Sequence, residues 1–131
     1  DIPDIDFPMF RLSDVYLMYA ECAVRGAADT DMAKAVGYIN QLRTRANAAT
    51  ITAANMNLNF ILDERGRELF WECHRRTDLV RFDKFTGSSK IWQWKGGVKN
   101  GTSTESYRNL MPIPSRAIQA NPTLKQNPGY N

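Results

Sequence analysis

The densest group of side chains able to do chemistry runs from Glu64 to Arg81 and holds Glu64, Arg65, Arg67, Glu68, Glu72, His74, Arg75, Arg76, Asp78 and Arg81. The acids at 64, 68 and 72 repeat every four residues. On a helix that spacing lines them along one face, with Arg65, Arg67, Arg75 and Arg76 flanking the row. Such a row admits two chemistries. Crowded carboxylates can separate their pKa values and act as general acid and base, or hold a cation. Alternatively, arginine forks can neutralise them and tie the helix to loops and to the next helix. Opposite charges match here in number and position, which leaves little excess field to shift a pKa strongly. The expectation is therefore a structural ion-pair network of Glu64, Arg65, Glu68, Glu72, Arg75, Asp78 and Arg81.

His74 is the one histidine in the chain. On a helix the adjacent Cys73 would project about 100° away from it, so the two do not form a two-ligand metal pair. The same geometry, with no evident third group to orient the histidine, argues against a Cys-His nucleophilic dyad. No GxSxG, HExxH or glycine-rich phosphate loop occurs. No catalytic residue, metal or cofactor is expected. A hydrolase working through Glu68 and Glu72 is the chemical alternative.

The elements that must position these groups are those of a modest globular domain. Hydrophobic residues make up 43% and charged residues 24%, away from the composition of disordered or fibrous chains. The length of 131 residues suits a single domain with one core. The 17 basic and 14 acidic residues are interleaved and form no basic stripe, so the net charge of +3 does not point to nucleic acid. No apolar run approaches the roughly 18 residues that cross a bilayer. The opening Asp1-Ile2-Pro3-Asp4 carries no leader and reads as a processed product or an excised piece. Cys22 and Cys73 each sit within a helix-like apolar pattern and read as buried free thiols, with a bridge between them as the alternative in an oxidising compartment.

Helical spacing of Val15, Tyr16, Tyr19, Ala20 and Ala23 predicts a helix from Ser13 to Arg25, with Ser13 as N-cap and Gly26 as stop. A second stripe of Ala35, Val36, Ile39, Leu42 and Ala46 predicts a helix over 31–46. The short connection makes an antiparallel, tetratricopeptide-like hairpin, and one such unit cannot bury its own face. A polar loop over 48–57 precedes a third helix over 58–74 through Leu58, Ile61, Leu62, Leu69 and Phe70, with Gly66 inside it. A short fourth helix is predicted over 77–84 and ends before Gly87. The run 91–95 with Gly96-Gly97 and Asn100-Gly101 predicts a small β-hairpin. Four prolines between Leu110 and Asn131 predict a turn-rich strap with at most one short helix begun by Ser115. Its apolar anchors would be Ile113, Ile118, Leu124 and Tyr130. The fold class is thus mainly α.

Several separated motifs, in order, resemble the SusD/RagB family. Phe10 to Glu21, reading Phe-Arg-Leu-Ser-Asp-Val-Tyr-Leu-Met-Tyr-Ala-Glu, is similar to that family's R-x-A-D-x-x-L-x-Y-A-E-A helix. Asn40 to Arg45 resembles its N-x-V-R-x-R-A helix end. Glu64-Arg65, Glu68-Leu69, Glu72, Arg75 and Asp78-Leu79-Val80-Arg81 resemble E-R-x-x-E-L-x-x-E-G-x-R-x-x-D-L-x-R. Pro112-Ile113-Pro114, Asn121-Pro122 and Gln126 to Tyr130 match the closing P-I-P, N-P and Q-N-P-G-Y. Cys73 stands where the family usually has Gly, Arg76 where an aromatic is common, and Arg116 and Ala117 where an acid often follows P-I-P.

The resemblance implies the C-terminal portion of a non-catalytic, cell-surface lipoprotein of the Bacteroidetes outer membrane. Such proteins capture glycans and deliver them to a SusC-like TonB-dependent transporter. It also implies that the lipid anchor and much of the sugar site lie in a preceding part of the protein. Within this chain the candidate ligand residues are Trp92, Trp94 and Tyr107, whose rings could stack on sugar faces, with Gln93 and Asn100 bonding hydroxyls. On a strand Trp92 and Trp94 would share one face, although aromatic residues in strands are also commonly core. A helical scaffold without a ligand site of its own is the alternative.

Overall fold

Gly26 turns the first helix back towards the second with φ at +74°, a conformation that costs a glycine nothing. The computed structural model describes residues 8–130. The opening Asp1-Ile2-Pro3-Asp4 lies outside them. Five α-helices occur among these residues: α1 (Leu12–Val24), α2 (Met32–Arg45), α3 (Leu58–Glu68), α4 (Arg75–Arg81) and α5 (Ser115–Ala120). They fall into two compact units, one ending at Arg75 and the other beginning at Arg76.

In the first unit α1 packs against α2 and α3. Asp31 caps α2 by accepting from the Lys34 N–H at 2.7 Å, and Asn57 caps α3 through Phe60 at 3.0 Å. The hairpin of α1 and α2 is clasped by Tyr16 stacked on Tyr38 at 4.2 Å, with Tyr19 edge-on to Tyr38. Leu17, Ala20, Ala35, Ile39, Leu42, Ile61, Leu62 and Leu69 form the core. Each fully buried Leu or Ile contributes about 1.5–3 kcal/mol. Asn40 exchanges two hydrogen bonds with the backbone of Ile51, which holds down the connection to α3, and a single 3-10 turn (Ala53–Asn55) interrupts that connection.

Three expectations change here. The buried face of α1 is Ser13, Asp14, Leu17, Ala20 and Glu21, while Val15 is exposed and Ser13 sits inside the helix with Arg11 as the N-cap. An apolar stripe misleads when ion pairs allow Asp14 and Glu21 onto the core side. The third helix ends at Glu68, six residues early, so Glu72 is off the helix and the acidic row is not one helical face. Arg11 bonds the Glu68 carbonyl at 2.8 Å and so takes up one of the carbonyls left open where the helix stops. Beyond it Trp71 and Cys73 take left-handed φ of 67° and 63°. Cys22 and Cys73 are exposed free thiols and not buried ones, because Cys22 faces away from the core and Cys73 lies past the end of α3.

The second unit has little regular structure. Among the described residues its buried apolar side chains are Leu79 of its first helix and Phe82 just past that helix's end. That helix spans Arg75–Arg81 rather than 77–84, and it stops where Asp83 turns to φ +54° and Lys84 and Phe85 both donate to the Leu79 carbonyl. The predicted β-hairpin does not form: among the described residues no strand is present, and one isolated antiparallel bridge joins Gly87 to Thr104. Trp94, Gly96 and Gly97 all take positive φ, which curls the segment into a 3-10 turn and removes the extended backbone a ladder needs.

The last segment closes on itself through side chains. Gln126 brackets Ile113, accepting from its N–H at 2.8 Å and donating to its carbonyl at 2.9 Å. Asn127 donates to the Met111 carbonyl and the Tyr130 hydroxyl to that of Leu110. One short helix, α5, begins at Ser115. Of the four anchors expected there, Ile113, Ile118 and Tyr130 are half-buried and Leu124 is exposed.

Candidate functional site

The charged residues of α3 are neutralised mainly from α1 and α2. Arg43 of α2 grips the buried Glu64 at 2.9 and 3.2 Å, and Arg67 reaches the same carboxylate. Arg11, just before α1, makes a two-pronged contact with Glu72 at 2.7 and 2.9 Å and bonds Glu68 at 3.0 Å. Arg45 also reaches Glu68. Burial works against the Glu68 carboxylate, but hydrogen bonds from Arg45 and Arg11 outweigh it and hold the group below the usual glutamate range. Buried Arg65 pairs with Asp14 of α1 at 2.8 Å. The Arg75 guanidinium lies against Gly66, where a methyl would stand 2.7 Å from it, and donates to the Leu62 carbonyl.

In the second unit Arg81 meets Asp78 at 3.2 Å. The acids at 64, 68 and 72 thus each have guanidinium partners, and no group of three or more potential metal-ligating side chains occurs among the described residues. Sequence reasoning found the acids but placed their main partners wrongly. Arg11, Arg43 and Arg45 are distant in sequence, and only the packing of three helices brings them to the row.

Sequence reasoning also passed over Trp71. With Phe70 it borders a cavity of about 660 Å³, completed by Asp63, Arg65, Arg67, Leu69, Cys73 and Arg75. Both aromatic rings are largely exposed. The signal available was the Leu69-Phe70-Trp71 run, too apolar for the solvent end of a helix.

The candidate ligand residues lie in the second unit. Trp92, Gln93, Trp94 and Asn100 are exposed on one short loop. The loop is closed by Lys95 N–H to Trp92 carbonyl at 3.1 Å and Thr102 N–H to Lys95 carbonyl at 3.0 Å. Gly101 fits so tightly that a methyl there would stand 2.2 Å from the Trp92 carbonyl oxygen. With no strand, Trp92 and Trp94 are presented by this turn and not by a pleat. Neither ring serves as core, for Trp92 is 42% and Trp94 65% exposed. Tyr107 is half-buried elsewhere, edge-on to Tyr130 at 5.0 Å with Gly129 against its ring.

The SusD family profile matches residues 2–130. The chain belongs to the SusD family. It is 45% identical over 128 residues to the starch-binding protein SusD of Bacteroides thetaiotaomicron, covering 98% of this chain and 22% of that protein. A SusD-like protein of Formosa agariphila is 36% identical over 131 residues, with 94% of this chain and 24% of that one covered. The chain therefore spans about a quarter of the length of these relatives. A crystal structure of a SusD superfamily protein from Parabacteroides distasonis superimposes with a TM-score of 0.66 at 28% identity, over 97% of this chain and 28% of that one. The mainly helical SusD fold is thus shared, and the motif arginines and acids of the SusD-type sequence are the ones that pair across α1, α2 and α3.

Proposed function

We propose that this chain is part of a non-catalytic protein that captures glycan at the surface of a bacterial outer membrane and passes it to a SusC-like TonB-dependent transporter. The observation that carries the reading is the exposed Trp92 and Trp94 pair on one tightly closed loop, with Gln93 and Asn100 beside it. Indole faces stack on the apolar faces of sugar rings, and the amides supply hydrogen bonds to hydroxyls. Tyr107 would act as a more distant rim residue. Family membership and the similarity to the starch-binding protein SusD of Bacteroides thetaiotaomicron support an α-glucan such as starch as the first ligand to test. Pairing of Glu64, Glu68 and Glu72 with arginines supports binding without hydrolysis. No helix among the described residues is long and apolar enough to cross a membrane, and attachment would come through an N-terminal lipid anchor outside this sequence.

The test is affinity electrophoresis of the chain through gels containing soluble starch, amylose-free glucans or other polysaccharides. Retardation by one glycan, lost in Trp92→Ala or Trp94→Ala with an unchanged melting temperature, is the expected result. Equal retardation of both variants and the parent would reject the loop as a site. A second reading, a scaffold that only docks to other protein surfaces, is favoured by the exposure of Phe10, Leu12, Phe70 and Trp71. It predicts concentration-dependent self-association in sedimentation velocity, and a monomer at all concentrations would count against it.

A further inference from the structure

Lys95 is the one lysine among the described residues that is buried, with 5% of its surface exposed. Its ammonium donates to the Lys90 carbonyl at 2.7 Å and sits 4.7 Å from the centroid of the Trp92 ring. Burial pushes this ammonium below the usual lysine range, the mark of a charge held at a cost. A methionine would carry no charge there, but it would leave the Lys90 carbonyl without this donor and the indole without a cation. What the lysine does supply is a cation against one face of an indole.

Resting on the glycan reading above, we propose that Lys95 is a positioning residue for the binding loop, covering one face of Trp92 so that the opposite face alone receives a sugar ring. The surrounding backbone fits this role. Lys95 N–H bonds the Trp92 carbonyl, Lys95 carbonyl accepts from Thr102, and Gly101 presses on the same Trp92 carbonyl, so backbone and ring are fixed by neighbouring contacts. Fixing the indole before the ligand arrives removes an ordering cost from binding. Lys95 touches no ligand in this arrangement, being too buried to reach one.

The experiment compares Lys95→Met, Lys95→Arg and Trp92→Ala with the parent chain in soluble-starch affinity gels. Alongside, acrylamide quenching is measured in a Trp71→Phe, Trp94→Phe chain in which Trp92 is the remaining tryptophan, with Lys95 intact or replaced by Met or by Arg. Lys95→Met is expected to weaken starch retention about three- to tenfold and to raise quenching of Trp92 in a chain that circular dichroism shows to be folded. Lys95→Arg, which keeps a cation near the ring, is expected to recover most of the retention. Should Lys95→Met fail to fold, Lys95→Arg and the quenching data still decide: retention and quenching both unlike the parent in a folded Lys95→Arg chain overturn the proposal. Normal retention in folded Lys95→Met, with retention lost in Trp92→Ala, overturns the positioning role and leaves the glycan reading standing. Normal retention in Trp92→Ala rejects that reading and this proposal with it.

Discussion

Replacing Glu68 by Gln removes one negative charge from the place where α3 ends against Arg11 and Arg45 while keeping the side chain's shape. Two ion-pair bonds to the Glu68 carboxylate, each about 1.5–3 kcal/mol, become bonds from a guanidinium to a neutral amide oxygen, weaker by about 1 kcal/mol each. Each bond thus loses about 1 kcal/mol, but the Arg45 partner is 58% exposed and its share is roughly halved by solvent and side-chain entropy. The expected loss is about 1.5 kcal/mol at pH 7. For a chain of this length that lowers the melting temperature by about 6 °C.

The acid side supplies the sharper test. The folded Glu68 carboxyl lies below its unfolded value, so its contribution is fully present above the unfolded pKa and is lost as pH falls through the folded one. Urea denaturation followed by circular dichroism at pH 7, 5 and 3 should therefore show the gap between parent and Glu68→Gln closing as the parent is protonated. A gap of equal size at pH 7 and pH 3 would overturn this account, because the loss would then come from shape and not charge.

Leu17→Ala should cost about 3 kcal/mol in urea denaturation, since Leu17 is fully buried among α1, α2 and α3, whereas Val15→Ala on the solvent side of the same helix should stay within about 0.5 kcal/mol. Gly101→Ala should cost about 1–3 kcal/mol of local stability, because φ there is +74° and the added methyl meets the Trp92 carbonyl; altered near-ultraviolet circular dichroism of the tryptophans and lost starch retention would report it. Gln126→Ala removes both bonds to Ile113, and limited proteolysis should then cut within 110–130 at lower protease concentration than in the parent.

Local sequence was enough to read the helical hairpin of α1 and α2, Gly26 as the stop of its first helix, and Ala35, Ile39 and Leu42 on the buried stripe of its second. These features are local: they need a period, a cap and a glycine, all within one turn of one another. It also determined that the acids around Glu68 are paired, because matched charge in one stretch leaves no unbalanced field to exploit. Which arginines pair with them was decided only by tertiary structure. Arg11 lies 57 residues from Glu68, and a guanidinium at that separation can be assigned only when α1 and α3 are in contact.

The same reason explains the misread face of α1. Asp14 is buried because Arg65, on another helix, is there to meet it, and no periodicity within α1 can reveal that. The loop at Trp92 failed as a predicted hairpin because turn-forming glycines were counted without the left-handed φ of Trp94, which the closed loop imposes. Spacing along the chain fixes what a few neighbouring residues can satisfy between them. Charge partners, helix ends and ring faces are settled by groups dozens of residues away, and those meet only once the chain has folded.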